Sequence, residues 1–257
     1  MKLSFVIPAY NEERSIGRCL DSIEAQTRGK KIDVEIVVVD NASIDGTRAV
    51  AERHRGVRVI DESRKGIVWA RRAGFLASTG DLIANVDADT MLTPGWIEKV
   101  FAAFSRDPKL LALSGPVVYY DLSLLTRFFV KIFYAVGYAT YFINHYVFRA
   151  GAMLQGGNYV ARRSALEAIG GYDTRIQFYG EDTDIARRIG RIGKVKFTFD
   201  LPIYASGRRL AGEGVVMTGA RYALNYFWTL VFKRPFTMDS ADIRRSSAVN
   251  PHHEHHP

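Results

Sequence analysis

Thiols are nearly absent: Cys19 is the only cysteine in 257 residues. That excludes an internal disulfide framework and any cysteine-rich zinc site. Its neighbours at helical spacing, Ile16, Leu20 and Ile23, predict a buried apolar role for the thiol. No G-x-G-x-x-G follows the first apolar run and no G-x-x-x-x-G-K-[ST] occurs anywhere. Ordinary dinucleotide-binding and P-loop readings therefore lose most of their support. Long apolar runs are lacking too. The aromatic-rich stretch 124–150 has an uninterrupted apolar part of only 12 residues, 132–143, too short to span a bilayer. A single crossing there would also put the segments before and after it on opposite sides of the membrane. There is no internal repeat. The chain enters an apolar run at residues 3–7 directly, without a signal-peptide pattern, so a cytosolic location is expected.

What is present is apolar bulk and positive charge. Hydrophobic residues make up 47% of the chain, enough for one large α/β domain with appendages. The formal charge of +8 favours an anionic partner: nucleotide phosphates, phospholipid headgroups or nucleic acid. Nucleic acid is the weakest of these, because the basic residues are scattered and form no aromatic-basic strand platform.

Strand and helix patterns alternate. Residues 3–7 read as a strand that stops at Pro8, and the turn 8–13 leads into a helix over 15–26 with Asn11 as its N-cap. The β-branched run 34–39 reads as a strand buried on both faces, as parallel strands are. It ends on an acid-rich loop from Asp40 to Thr47. A helix over 47–54, a strand over 57–60 and a helix over 67–77 follow, the last with Arg71 and Arg72 on its polar side. Then comes an apolar strand ending at Asp87 and Asp89. Three strands thus deliver polar residues to their C-terminal ends. This predicts a doubly wound, mostly parallel sheet with a nucleotide-sized cleft along one edge. Farther on, the pattern gives a helix over 96–105 and a strand over 110–114. Residues 155–160 read as a strand loosened by Gly156 and Gly157 so that a ligand can approach the backbone. A helix over 162–169 stopped by Gly170-Gly171, a helix over 185–192, a strand over 195–199 and a loop at 206–209 complete the reading.

Asp87 and Asp89 close an apolar strand, with a turn expected between them, and the end of a parallel strand is where open α/β sheets place their ligands. Two oxygen donors there, without cysteine or clustered histidine, suit Mn²⁺ or Mg²⁺. The plainer alternative is a turn-capping Asp87 and a solvated Asp89. Glu181, Asp182 and Asp184 open a helix, where capping explains any one of them. Adjacent acids beside a metal-binding pair also suit a general base, because crowded negative charge raises a carboxylate pKa.

These pieces stand in a telling order: VIPAYNEE at 6–13, VDNASIDGT at 39–47, GD at 80–81 running to DAD at 87–89, GGN at 156–158, GGYD at 170–173 and GED at 180–182. Each is weak alone. Together they resemble the family 2 glycosyltransferases of the GT-A fold, over about residues 2–210. The resemblance implies an inverting nucleotide-sugar transferase. Pro8, Ala9, Tyr10 and Glu12 would line the nucleoside pocket, and Asp40 would read the base edge. Asp89, with Asp87 alongside and Ala88 between them, would hold the metal that bridges the donor's diphosphate. Asp182 would deprotonate the acceptor hydroxyl for in-line attack at the anomeric carbon, and Glu181 would orient the base or the acceptor. Gly156, Gly157 and Asn158 would border the donor sugar and the acceptor. Arg208 and Arg209 occupy the place where some relatives put a basic, diphosphate-binding loop. Others use a histidine near there, and this sequence has none. Lys65 and Arg71 are further phosphate candidates, with surface solvation the competing reading for Lys65.

The expected donor is a nucleoside-diphosphate sugar, UDP-linked by preference. The expected acceptor is lipid-linked or a polysaccharide, at the cytosolic face of the membrane in cell-envelope polysaccharide synthesis. A sugar nucleotidyltransferase would need a glycine-rich basic loop after the first strand, and residues 8–13 contain no glycine. A degenerate nucleotide-binding GT-A module would be signalled by a lost acid, yet Asp40, Asp87, Asp89, Glu181 and Asp182 are all present. The expected organisation is a catalytic domain over 1–210 with an aromatic insertion at 120–150, an amphipathic segment over 211–245 and a disordered histidine-rich tail over 246–257. The aromatic stretches, with Arg127, Lys131 and Arg149 among them, suit either core or lid helices or peripheral contact with the inner face of the cell membrane.

Overall fold

The computed structural model describes residues 1–130, 132, 153–176, 180–214, 217–219, 221, 224, 225 and 228, except for the side chains at 209, 212 and 213. The alternating pattern builds a three-layer sandwich. Strand β1 (Leu3–Ala9) pairs in parallel with β2 (Val34–Asp40) on one side and β4 (Leu82–Val86) on the other, and β3 (Val57–Asp61) extends from β2. With β6 (Leu110–Ser114), β8 (Asn158–Arg162) and β9 (Lys194–Phe197), the order is β3-β2-β1-β4-β8-β6-β9. Only β8 runs against its neighbours, so the sheet is mostly parallel as expected.

Period-two alternation splits β1 between two cores. Leu3, Phe5 and Ile7 join a cluster with Leu20 and Ile23 of α1 (Ile16–Thr27) and with Trp96 and Val100 of α4 (Trp96–Arg106). Ala51 of α2 (Thr47–Glu52) belongs to the same cluster. Val6 faces the opposite layer, formed by α3 (Ile67–Ala77), α5 (Arg163–Ala168) and α6 (Glu181–Gly190). Helix α3 comes so close to the sheet at Gly74 that a Cβ would lie 2.3 Å from Val6 Cγ1. Only glycine permits that approach.

A second, three-stranded sheet of β5 (Thr90–Leu92), β10 (Ile203–Ala205) and β7 (Val117–Tyr119) flanks the first, with β10 in the middle. Its register sets Ala205 opposite Thr90. The chain just after β10 is thereby brought to the residues just before β5.

Several local expectations are corrected. Asn11 does not cap α1; it adopts a φ of 52° and its Oδ1 accepts from the Ile44 N–H at 2.9 Å. The helix from 47 ends at Glu52, the strand expected over 155–160 is Asn158–Arg162, and that expected over 195–199 is Lys194–Phe197. The loop at 206–209 opens helix α7 (Arg208–Glu213) instead. Residues 124–130 are helical and expose Leu124, Leu125, Phe128 and Phe129. Most of the aromatic insertion beyond 130, most of the 211–245 segment and all of the 246–257 tail lie outside the described residues. Among the described residues no helix is long and apolar enough to cross a membrane.

Candidate active site

Two loops meet beyond the C-terminal ends of β1 and β2. Asn11 and Ala42 are the non-glycine residues with positive φ among those described, at 52° and 62°. A left-handed non-glycine residue costs about 1–2 kcal/mol, and the loops hold it by bonding to each other. The Asn11 N–H donates to Ser43 Oγ at 3.1 Å and the Glu12 N–H to Thr47 Oγ1 at 2.7 Å. Asp40, nearly buried, accepts from the Ser43 N–H at 3.1 Å. Asn41 ties in the next loop. Its Nδ2 donates to the Glu62 and Arg64 carbonyls at 2.8 Å each, and its Oδ1 accepts from the Gly66 N–H at 2.8 Å. This sets Lys65 over Tyr10, with Nζ 4.8 Å from the ring centroid and 3.2 Å from the hydroxyl. Pro8, Ala9, Tyr10, Asp40 and Lys65 thus share one rim, where Ala9 pairs with Asp40.

Strand β4 ends before Asp87, and the chain turns there: the Thr90 N–H and hydroxyl both donate to the Asp87 carbonyl, at 3.1 and 2.7 Å. Each acid of the pair meets a guanidinium. Arg71 Nη2 donates to Asp87 Oδ1 at 2.9 Å, while its Nη1 bonds Glu181. Arg208 Nη2 lies 3.0 Å from Asp89 Oδ2 and also bonds Glu12. Ala88 between the acids is buried. Arg71 is a correction: it is 2% exposed, not on a polar face. The spacing explains it, since Val68, Arg71 and Phe75 recur on one face of α3 at i, i+3 and i+7.

Glu181 and Asp182 stand in the first turn of α6. Asp182 Oδ2 accepts from the Gly156 N–H at 2.9 Å and Oδ1 from the Thr183 N–H at 2.7 Å. Burial raises its carboxyl above the ordinary range, with those two N–H donors opposing the rise. Burial pushes Glu181 up to about 7 against the pull of Arg71, and the charges of Asp182 and Asp87 add to the rise.

Gly157 completes the edge. It has a φ of 75°, and a Cβ there would stand 2.3 Å from Asp87 Oδ2. The dipeptide Gly156-Gly157 therefore touches the carboxylates of Asp182 and Asp87 at once. Gly157→Ala is expected to cost about 2–3 kcal/mol, combining backbone strain with displacement of Asp87. Gly56→Ala, at a φ of 80° with open space around it, isolates the strain and should cost about 1–2 kcal/mol. Urea unfolding of the two variants checks the difference.

Not every expected residue joins this edge. Asn158 is fully buried with its amide spent on the fold: it accepts from Trp96 Nε1 at 3.2 Å and donates to the Leu201 and Pro116 carbonyls at 2.9 and 3.3 Å. The Arg209 side chain lies outside the described residues. The sequence reading missed a buried network behind the acids. Tyr159 donates to Tyr172 at 3.3 Å, Tyr172 donates to Asn85 at 3.0 Å, and Arg71 lies 5.8 Å from the Tyr159 ring centroid. The opposed pairing of Asn85 with Tyr159 signals it, once β8 is known to run beside β4.

The donor set fits a hard dication: two carboxylates on one turn, with oxygen the available ligand atom. Asp89 and Glu12 already share a cationic group.

A family model described as Glycosyl transferase family 2 matches residues 4–170. The chain belongs to that family. This family 2 chain is 28% identical over 185 residues to a glucosyl-dolichyl phosphate glucuronosyltransferase of Haloferax volcanii, covering 68% of the chain and 56% of that relative. It spans a smaller share of several other curated relatives, down to about a third of their length. Among solved structures it resembles a mannosyltransferase from Pyrobaculum calidifontis in complex with GDP-Man and Mn²⁺, at a TM-score of 0.70 and 22% identity, covering 90% of this chain and 64% of that one. It also resembles glucosyl-3-phosphoglycerate synthase from Mycobacterium tuberculosis in complex with Mn²⁺, UDP and glucosyl-3-phosphoglycerate. There the TM-score is 0.61 at 20% identity, over 89% and 79% of the two chains. The family 2 chain has the GT-A fold.

Proposed function

We propose that the chain is a metal-dependent, inverting glycosyltransferase. It moves a sugar from a nucleoside-diphosphate donor, UDP-linked by preference, to a hydroxyl or phosphate of a lipid-linked or polysaccharide acceptor. The observation that carries this reading is the junction at Gly156-Gly157, where a carboxylate fit to be a base meets a carboxylate fit to be a metal ligand. Asp87 and Asp89 would hold Mn²⁺ or Mg²⁺, which supplies Lewis-acid neutralisation of the leaving diphosphate. Pro8, Ala9, Tyr10 and Glu12 bound the nucleoside pocket, Asp40 reads the base, and Lys65 and Arg208 bring positive charge to the phosphates. Asp182 takes the acceptor proton, held in place by the Gly156 and Thr183 N–H groups. Arg71 positions Asp87 and Glu181 from behind. Solved relatives whose complexes hold GDP-Man with Mn²⁺ or UDP with Mn²⁺ support the donor class. The dolichyl-phosphate relative supports a lipid-linked acceptor. The exposed Leu124, Leu125, Phe128 and Phe129 beside Arg127 support peripheral membrane contact at the cytosolic face, and failure of the protein to float with anionic liposomes would remove that part. Residues 1–210 form the catalytic unit in this reading, and 211–245 accompany it at the membrane.

Isothermal titration of UDP, GDP and CDP with and without Mn²⁺ tests the donor site. One nucleotide is expected to bind only with metal, and Asp89→Ala is expected to weaken that binding at least about tenfold. Unchanged affinity in the variant would remove the metal role from Asp89. Absence of metal-dependent binding of any nucleotide would remove the donor reading.

A further inference from the structure

A second recess lies between α3 and the chain that joins α5 to α6, with a volume of about 720 Å³. None of the acids at 87, 89, 181 and 182 lines it. Trp69 and Tyr172 give it aromatic wall, and four arginines, Arg64, Arg72, Arg175 and Arg188, surround that wall.

Three of the four are fixed. Arg64 grips Glu62 through Nε at 2.8 Å and Nη2 at 2.7 Å, and its guanidinium lies 4.0 Å from the Trp69 ring centroid. Arg175 grips Asp173 in the same two-pronged way, at 2.9 and 2.7 Å. Arg188 donates to Asp184 at 2.7 Å and to the Ile169 and Gly171 carbonyls at 2.8 and 2.7 Å, which locks the loop that forms one lip. The bonds of Arg188, largely shielded from solvent, fix that lip before anything enters the recess.

Two cations remain to be accounted for. Arg188 Nη2 is buried with no hydrogen-bond partner, so Arg188 acts on the recess through its charge. Arg72 is exposed and makes no hydrogen bond or ion pair among the described residues, and its charge helps hold the Glu62 carboxyl below the usual range. The one acid that lines the recess, Asp173, is already taken by Arg175. Guanidinium forks match the oxygens of phosphate and carboxylate groups, and clustered positive charge raises the local concentration of anions.

We propose that this recess is an oxyanion subsite that holds a phosphate group borne by the acceptor, on Arg72 and against Trp69, in the positive field of Arg188. Only the word acceptor rests on the transferase reading; the affinity for the anion does not.

The test is titration of glycerol 3-phosphate into the full chain, by calorimetry and by tryptophan fluorescence, with and without saturating UDP and Mn²⁺. Saturable binding that persists with the nucleotide present is expected. Arg72→Ala, a change on the surface, should weaken it about tenfold or more, and Trp69→Phe should abolish the fluorescence change. No saturable binding, unchanged affinity in Arg72→Ala, a fluorescence change that survives Trp69→Phe, or displacement by UDP would each overturn the site. Inorganic phosphate that binds where glycerol 3-phosphate does not would make it a free-ion site and overturn the acceptor assignment. If UDP fails to bind while glycerol 3-phosphate still does, the donor reading falls and the oxyanion site stands.

Discussion

Asp182→Asn is expected to lower sugar transfer by about 10²- to 10⁴-fold, the range that a positioned general base supplies, while nucleotide affinity stays unchanged. The substitution keeps the shape of the side chain and removes its ability to take a proton. Both carboxylate oxygens accept backbone N–H groups, from Gly156 and Thr183. An amide can satisfy only one of them, so a stability loss of about 1 kcal/mol accompanies the change. That is far too small to account for the lost activity. Steady-state kinetics should show the effect in kcat with little change in the donor KM. Turnover near that of the parent chain would sink the assignment of Asp182 as base.

Arg71→Met should be the most destabilising single change at this edge, costing about 3–5 kcal/mol. Methionine fills much the same volume, so packing is spared. The damage comes from Glu181 and Asp87, which both lose the guanidinium they share. The penalty depends on pH. Glu181 has a folded-state value of about 7 against an ordinary 4.5. Its proton therefore favours the folded state fully below about 4.5, and that support is lost as pH rises through about 7. Without Arg71 the folded value climbs further, and the variant should lose most stability in alkaline buffer and least in acid. Thermal unfolding followed from about pH 5 to about pH 8 checks the trend. A penalty that does not change across that range would mean that Glu181 is not the group left stranded.

The parts of the molecule that were legible from sequence are those whose cause is local. The helix over 67–77 coincides with α3, and β1, β2 and β4 end at Ala9, Asp40 and Val86, within two residues of where the apolar runs stop. The turn at Asp87 falls where the apolar run stops on its acids. What escaped was set by distant partners. Arg71 reads as a phosphate candidate on a polar helix face until Glu181, 110 residues away, is placed beside it. Strands β7 and β10 have three residues each, too few for any period to register. The glycines at 207, 212 and 214 make the stretch after Ala205 look like a loop, yet a helix starts there. Asn158 sits in a glycine-loosened motif whose pattern points to the ligand, whereas its amide turns inward to Trp96.

The guanidinium that meets Asp89 belongs to Arg208, whose bond to Glu12 spans 196 residues. Closing that span costs only about 0.5 kcal/mol more than the 110-residue link from Arg71 to Glu181, because closure entropy grows with the logarithm of length. At equilibrium the separation is almost irrelevant. In time it is decisive. Chains emerge from the ribosome N-terminus first, so β1, β2, β4 and both acids of the turn exist long before residue 208 does. Arg71 reaches Asp87 early, 16 residues away, and Glu181 and Arg208 arrive afterwards. The corner around Asp89 is thus completed later in each new chain than the corner that Arg71 holds.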